Sequence, residues 1–370
     1  MRVLFSANAP SPYTTEFFND LGKLCDLTVV YERRYNRDRL KAWQDSVQSA
    51  SYRKLFPVGI KIGNETGFNP SVIKNLSAKK YDVFVVGNYS SPTGMLMILF
   101  MRFRKIPFLI YADGGMAKSD SRIKFALKKF FISKASAWIS SGSVTDHYLT
   151  HYGADQSRIY WHPFTSLREE CIEKEPSSTS EKQELRNRLG INEKKVVLSV
   201  GRFIHVKGYD VLLRASAKLG KDTGVYIIGG SPSEEYLELQ RQLSLENIRF
   251  VGHVSANELK EYFRAADLFV LPTRGEAWGL VINEAMANGL PVITTDKCVA
   301  GLELVEDFDN GFIIPVDDVE VLAEKMCAVL EDDVLREKMA LESIRIIQPY
   351  SIEGMAKAHY EIFTDYLAYT

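Results

Sequence analysis

Residues 271–292 read LPTRGEAWGLVINEAMANGLPV, and their order decides the fold. An apolar run ends at Pro272–Thr273, a glycine-containing loop follows, a helix is predicted from near Trp278, and Asn288–Gly289 stops it before a new apolar run opens at Pro291. That is strand, helix and strand, a crossover that lets neighbouring strands lie parallel. The rhythm extends through the second half in Val196–Arg202, Val225–Gly230, Ile248–Val254, Asp267–Thr273, Pro291–Asp296 and Gly311–Val316. The first half repeats it in Arg2–Asn8, Leu27–Glu32, Val83–Asn88, Pro107–Asp113, Ala137–Gly142 and Arg158–Pro163. The expected fold is therefore α/β, with two doubly wound Rossmann-like domains in series. Ligands bind beyond the carboxyl ends of the strands in such sheets, so two rims facing each other predict one interdomain cleft.

A chain of 370 residues has room for two such domains. The tract Glu173–Lys182, EKEPSSTSEK, has the composition of a linker. It sets the expected boundaries at 1–165, a linker at 166–190, a second domain at 191–350 and a terminal helix at 351–370. The net charge of −1 conceals an asymmetry: residues 1–175 carry 25 Lys or Arg against 16 Asp or Glu, while residues 176–370 carry 21 against 31. A basic half suggests an anionic partner, and the acidic half argues against a coat for nucleic acid. The four cysteines, Cys25, Cys171, Cys298 and Cys327, lie far apart without metal-ligand spacing and read as reduced thiols. The opening MRVLFSANAP lacks the apolar core of a signal peptide, and no apolar run reaches the ~20 residues of a membrane span. A cytoplasmic protein is expected.

Two clusters carry the candidate chemistry. In residues 271–292, Glu276 and Glu284 are separated by seven residues, one at the mouth of the predicted helix and the other inside it. Between them, free N–H groups at Trp278, Gly279 and Leu280 offer the partial positive charge that suits a diphosphate. The spacing alone is equally compatible with a first-turn acid and a solvated helix residue. In residues 200–208, VGRFIHVKG, Arg202 and Lys207 follow a buried-type strand between two glycines, a planar fork and a point charge fit to grip a pyrophosphate. Ordinary surface charge is the plainer alternative there.

VGRFIHVKG, followed some seventy residues later by E-x7-E and NGLPVI, resembles the pattern of glycosyltransferase family 4, retaining enzymes of the GT-B superfamily. The resemblance implies the GT-B fold, with a first domain for the acceptor, a second for the nucleotide-sugar, and a last helix returning to the first domain. By this similarity Arg202 and Lys207 hold the donor diphosphate, Glu276 contacts the hydroxyls of the donor sugar and Glu284 binds the ribose. Val254 borders the base, with UDP favoured. Ser11 and Tyr13, in the loop APSPY after the first strand, are candidates for acceptor or donor contact. Asp113 stands where many relatives have a histidine near the reacting sugar and completes the catalytic set; a turn-forming role is its alternative. The implied reaction moves a hexosyl or N-acetylhexosaminyl group, with retention, from a nucleotide-sugar to a glycan or lipid-linked acceptor in cell-surface polysaccharide or glycolipid assembly. It implies no cofactor and no metal.

Other readings stand beside this one. A nucleotide-sugar epimerase shares the architecture, and a catalytically silent glycosyltransferase-like subunit would keep the fold. A dinucleotide oxidoreductase is disfavoured because no G-x-G-x-x-G follows the first strand. Asp307-Phe308-Asp309 looks like a metal-binding D-x-D but reads as a solvated turn, and His147 with His151 lacks a third ligand. Ser121–Lys134, SRIKFALKKFFISK, is a basic amphipathic helix that suits either ordinary packing on a sheet or peripheral contact with an anionic membrane on the inner face of the cell membrane. Nucleic acid is not an expected partner.

Overall fold

A computed structural model describes residues 1–34, 51–62 and 66–369. The chain divides into two compact units, one comprising Met1–Ser166 and the chain from Tyr350 on, the other Leu167–Pro349. The first unit holds the strands β1 (Arg2–Ala7), β2 (Asp26–Tyr31), β3 (Arg53–Leu55), β4 (Ile60–Ile62), β5 (Thr66–Phe68), β6 (Val83–Val86), β7 (Leu109–Ala112), β8 (Ala137–Ser140) and β9 (Ile159–Trp161). Its helices are α1 (Pro12–Leu24), α2 (Pro92–Phe103), α3 (Arg122–Ile132) and α4 (Ser143–His151). Seven strands form one parallel sheet in the order β3-β2-β1-β6-β7-β8-β9, and β4 pairs antiparallel with β5.

The second unit contains α5 (Thr179–Leu189), β10 (Lys195–Val200), α6 (Tyr209–Ser216), β11 (Thr223–Ile228), α7 (Glu234–Gln242), β12 (Ile248–Val251), α8 (Ala256–Ala265), β13 (Leu268–Leu271), α9 (Leu280–Ala287), β14 (Val292–Thr295), α10 (Val299–Leu304), β15 (Gly311–Ile314), α11 (Val319–Glu331) and α12 (Asp333–Ile347). Its six parallel strands run β12-β11-β10-β13-β14-β15. Counted along this unit the order is 3-2-1-4-5-6, the doubly wound Rossmann arrangement, whose direction reverses between β10 and β13. The inner strands β10, β11, β13 and β14 are buried along nearly their whole length, which is why they read as largely apolar segments.

Two expectations change. Residues 166–190 are not an unstructured linker: Ser178 and Glu181 form a reciprocal capping box that starts α5, and Gly190 ends it. From α5, Lys182 and Arg186 reach Asp267 at 3.0 and 2.7 Å, while Asp267 also accepts from the Val196 N–H at 2.8 Å. These bonds fix α5 to the sheet, so the second unit begins at Leu167 rather than residue 191. The helix containing Glu284 begins at Leu280, two residues later than expected, because Gly279 takes the position before the first turn.

The last helix, α13 (Ile352–Ala368), lies in the first unit. Ser351 caps it, and its buried face presents Met355, His359, Ile362, Phe363 and Tyr366. The His359 ring meets Phe17 of α1 at 4.7 Å between centroids and His162 at the same distance. Both imidazoles are fully buried. Burial drives the His359 pKa down to about 4, and burial together with the neighbouring His359 lowers that of His162. A folded-state pKa below the ordinary value stabilises the fold above the unfolded-state pKa, and that stabilisation is lost as pH falls. For His359 the loss runs from about pH 6.5 toward 4, at about 1.4 kcal/mol per pH unit. Urea unfolding followed between pH 7 and 5 should therefore show a falling midpoint, with a shallower fall in His359→Phe; an unchanged slope would place the acid sensitivity elsewhere.

Candidate active site

In the second unit the site forms where the strand order reverses. The loop after β10 carries Arg202 and a short 3₁₀ turn, His205–Lys207, while the loop after β13 carries Thr273 to Glu276. Thr273 Oγ1 donates to the Val206 carbonyl at 2.8 Å, and the Arg274 N–H donates to the same carbonyl at 2.7 Å. Gly208 lets the two loops touch: with φ of 68° it occupies the left-handed region, and a Cβ there would stand 2.0 Å from the Pro272 carbonyl oxygen.

Stitched together in this way, the loops bring Lys207 into an ion pair with Glu276, two side chains only 14% and 21% exposed. Arg202 is exposed and takes part in no ion pair among the described residues. Glu276 is fixed through its N–H to the Lys297 carbonyl at 2.9 Å. Beyond it α9 opens at the same strand ends, where Gly279 supplies no side-chain cap and the Ile282 N–H donates to the Gly279 carbonyl at 2.8 Å. Glu284 is the fifth residue of α9, about 6 Å along the axis from Leu280. The expected chemistry at Trp278 narrows to its main chain, because its indole is buried and donates to Asn283 Oδ1 at 2.9 Å. Val254 lies three residues beyond β12 rather than at its end, and its backbone makes no hydrogen bond among the described residues.

Sequence reading missed Arg274. Its guanidinium pairs bidentately with Asp210 at 2.9 and 2.7 Å, reaches Asp317 at 2.7 Å and donates to the His205 carbonyl at 2.7 Å. Burial would raise the Asp210 carboxyl, but the hydrogen bonds and charge of Arg274 hold it below the usual range. Arg274 thus clamps the Glu276 loop to the Lys207 turn. The available signal was its place, one residue after Thr273 at a strand's carboxyl end; its partners are distant in sequence. Arg274→Ala should cost about 2 kcal/mol, allowing for the exposure of Asp317. Urea unfolding would check this, with Asp317→Asn expected to cost less.

The first unit has a cavity of about 200 Å³ after β1, lined by Phe5, Tyr13, Arg33, Tyr111, Asp113 and Phe164 among others. Arg33 and Asp113 are its charged lining residues. Asp113 is exposed; crowding by protein atoms pushes its carboxyl pKa upward, but open water screens that effect. Tyr13 meets Phe164 edge-on at 6.3 Å. Ser11 borders the cavity, yet its hydroxyl is engaged in the cap of α1, within 2.7 Å of Thr14 Oγ1. Beneath the strand ends, the buried Glu32 carboxylate accepts from Ser91, Asn88 and the Gly67 N–H, and Asn88 Oδ1 accepts from Ser6 at 2.5 Å. Burial raises the Glu32 carboxyl pKa. This network fixes the adjoining Arg33, whose guanidinium also donates to the Thr66 carbonyl at 2.5 Å.

Elsewhere, Asp307 Oδ1 accepts from the Ile313 N–H and Asp309 pairs with Lys338. His151 packs edge-on against Phe125 and Tyr152, while His147 is exposed. Their helix is capped at Gly142. Among the described residues all four cysteines are free thiols, and no helix is long and apolar enough to cross a membrane.

The model of the family described as Glycosyl transferases group 1 matches residues 181–344. D-inositol 3-phosphate glycosyltransferase of Corynebacterium aurimucosum is 32% identical over 203 residues, 51% of this chain and 48% of the relative. Alpha-D-kanosaminyltransferase of Streptomyces kanamyceticus is 31% identical over 173 residues, 45% and 44% of the two chains. The chain spans about half the length of the curated relatives it matches. Among solved structures, Anabaena HepE in complex with UDP aligns with a TM-score of 0.81 at 18% identity, covering 99% of this chain and 100% of that one. Sucrose-phosphate synthase from Thermosynechococcus elongatus aligns with a TM-score of 0.74 at 18% identity over the full length of both. The two-unit α/β fold is thus the GT-B fold of solved glycosyltransferases, and Arg202, Lys207, Arg274, Glu276 and Glu284 all lie within the segment matching the group 1 model.

Proposed function

We propose that this chain is a retaining glycosyltransferase of the family 4 type, which transfers a hexosyl or N-acetylhexosaminyl group from a UDP-sugar to a glycan or lipid-linked acceptor. The observation that carries the reading is the ion pair of Lys207 with Glu276 beside the start of α9, with Arg202 on the same loop as Lys207, at the strand-order reversal of the second sheet. Cleavage of the donor's anomeric C–O bond sends both electrons to a diphosphate oxygen, while the acceptor hydroxyl oxygen bonds to that carbon on the same face and gives its proton to the departing diphosphate. Arg202, Lys207 and the N–H groups of α9 meet the charge that develops there, the reason for proposing a reaction without a metal or other cofactor. Glu276, held close to Lys207, would accept hydrogen bonds from the sugar hydroxyls, and Glu284 from the ribose. Val254 offers its backbone to the base.

The first unit's cavity, with aromatic walls, Arg33 and Asp113, suits a hydroxyl-rich acceptor, and Asp113 would accept from its hydroxyls. Cell-surface polysaccharide or glycolipid assembly is the proposed setting. The test is release of nucleoside diphosphate from a panel of UDP-, GDP- and ADP-sugars, with NMR of the product's anomeric centre. One UDP-sugar should be consumed fastest with its configuration kept. An inverted product would overturn retention; preference for a GDP- or ADP-sugar would overturn the uridine assignment.

A further inference from the structure

We propose that the outward face shared by α2 and α3 is a docking surface for an anionic lipid bilayer. A helix laid on a sheet should bury its apolar stripe, but α3 buries only Phe131 and Ile132. Ile123, Leu127 and Phe130, spaced i, i+4 and i+7 on one side, remain exposed, as do Leu99 and Phe103 of α2. Phe103 and Ile123 are each 84% exposed. The two faces adjoin: the Arg102 guanidinium lies 4.5 Å from the centre of the Phe130 ring and donates to the Phe130 carbonyl at 3.5 Å.

Charge selects the occupant. Residues 102–136 contain nine Lys or Arg and two Asp. One of the two, Asp120, is neutralised by Lys124 at 3.1 Å and Lys128 at 2.8 Å; the other, Asp113, borders the cavity. Arg104, Lys105, Arg122 and Lys129 are exposed and take part in no ion pair among the described residues. Nucleic acid would satisfy the cations but gives no role to exposed Ile, Leu and Phe. A bilayer interface accepts both, with rings and aliphatic chains below the headgroups and cations among anionic phosphates. The transferase reading is not needed for this surface, and loss of transferase activity would leave it standing.

Sedimentation with vesicles of phosphatidylcholine, alone or with about one-third phosphatidylglycerol, tests the proposal. The full chain should bind the anionic vesicles, more weakly as salt rises. Phe103→Ser combined with Ile123→Ser should weaken binding at least about tenfold without moving the thermal midpoint, since both side chains are exposed. Arg122→Gln with Lys129→Gln should weaken it about fivefold per cation removed. Absence of binding to anionic vesicles, or equal binding by the variants, would overturn the proposal. So would a wild-type dimer in sedimentation velocity that Phe103→Ser with Ile123→Ser dissociates, which would assign the face to a second copy.

Discussion

Lys207→Ala is expected to lower kcat by roughly 10²–10³-fold while moving KM much less. The ammonium is held beside Glu276 before any ligand arrives, and its stem crosses Gly201, where a Cβ would stand 3.1 Å from Lys207 Cε. A charge placed in advance costs no reorganisation when the diphosphate departs, so its worth appears in the transition state. Truncation also leaves Glu276 short of a partner, and about 1–2 kcal/mol of stability should be lost. Lys207→Arg should recover only part of the rate, because the wider planar fork must pass the same narrow space over Gly201. Steady-state kinetics on the purified variants separates these cases; a raised KM with kcat intact would make Lys207 a ground-state binding residue only.

Gly208→Ala should be strongly destabilising for a single added methyl group. Gly208 and Gly190 have nearly the same backbone, with φ of 68° and 69° and ψ of 26° and 28°. Their surroundings differ. A Cβ on Gly190 meets nothing within 4 Å, whereas one on Gly208 would stand 2.0 Å from the Pro272 carbonyl oxygen. Gly190→Ala should therefore cost only the left-handed penalty, about 1–2 kcal/mol. Gly208→Ala adds a clash that only backbone movement can relieve, for a total of about 3 kcal/mol or more. The relief must push the Lys207 turn away from the Glu276 loop, so donor affinity should fall along with the urea midpoint. Equal midpoints for the two variants would mean that the loops part without cost.

The sheets were legible because buried parallel strands are largely apolar runs, and each of the twelve runs read from the sequence overlaps a strand. Strands β3, β4 and β5 were not, since their three residues apiece, RKL, IKI and TGF, are broken by charged residues or glycine, whereas the equally short β9, IYW, is apolar throughout. The segment Thr179–Leu189 passed for linker because its stability comes from caps and from ion pairs to Asp267, some eighty residues away, rather than from an apolar stripe. Local motifs pointed to Arg202, Lys207, Glu276 and Glu284 as candidates. What they could not disclose were long-range partners: the pairing of Lys207 with Glu276, the clamp from Arg274 to Asp210 and Asp317, and the Glu32 network supporting Arg33. The exposure of α3's second apolar side was equally hidden, because periodicity shows that a helix has an apolar face but not whether anything covers it.

Calorimetric titration of UDP into the wild-type chain, Glu284→Ala and the double variant Arg202→Ala with Lys207→Ala tests the central claim most directly. UDP should bind the wild type, with affinity at least about tenfold weaker in both variants as charge-assisted bonds to ribose and diphosphate are lost. Binding of UDP with equal affinity to all three, or no binding of any nucleoside diphosphate to the wild type, would contradict a nucleotide-sugar site at the β10–β13 reversal and favour a catalytically silent subunit.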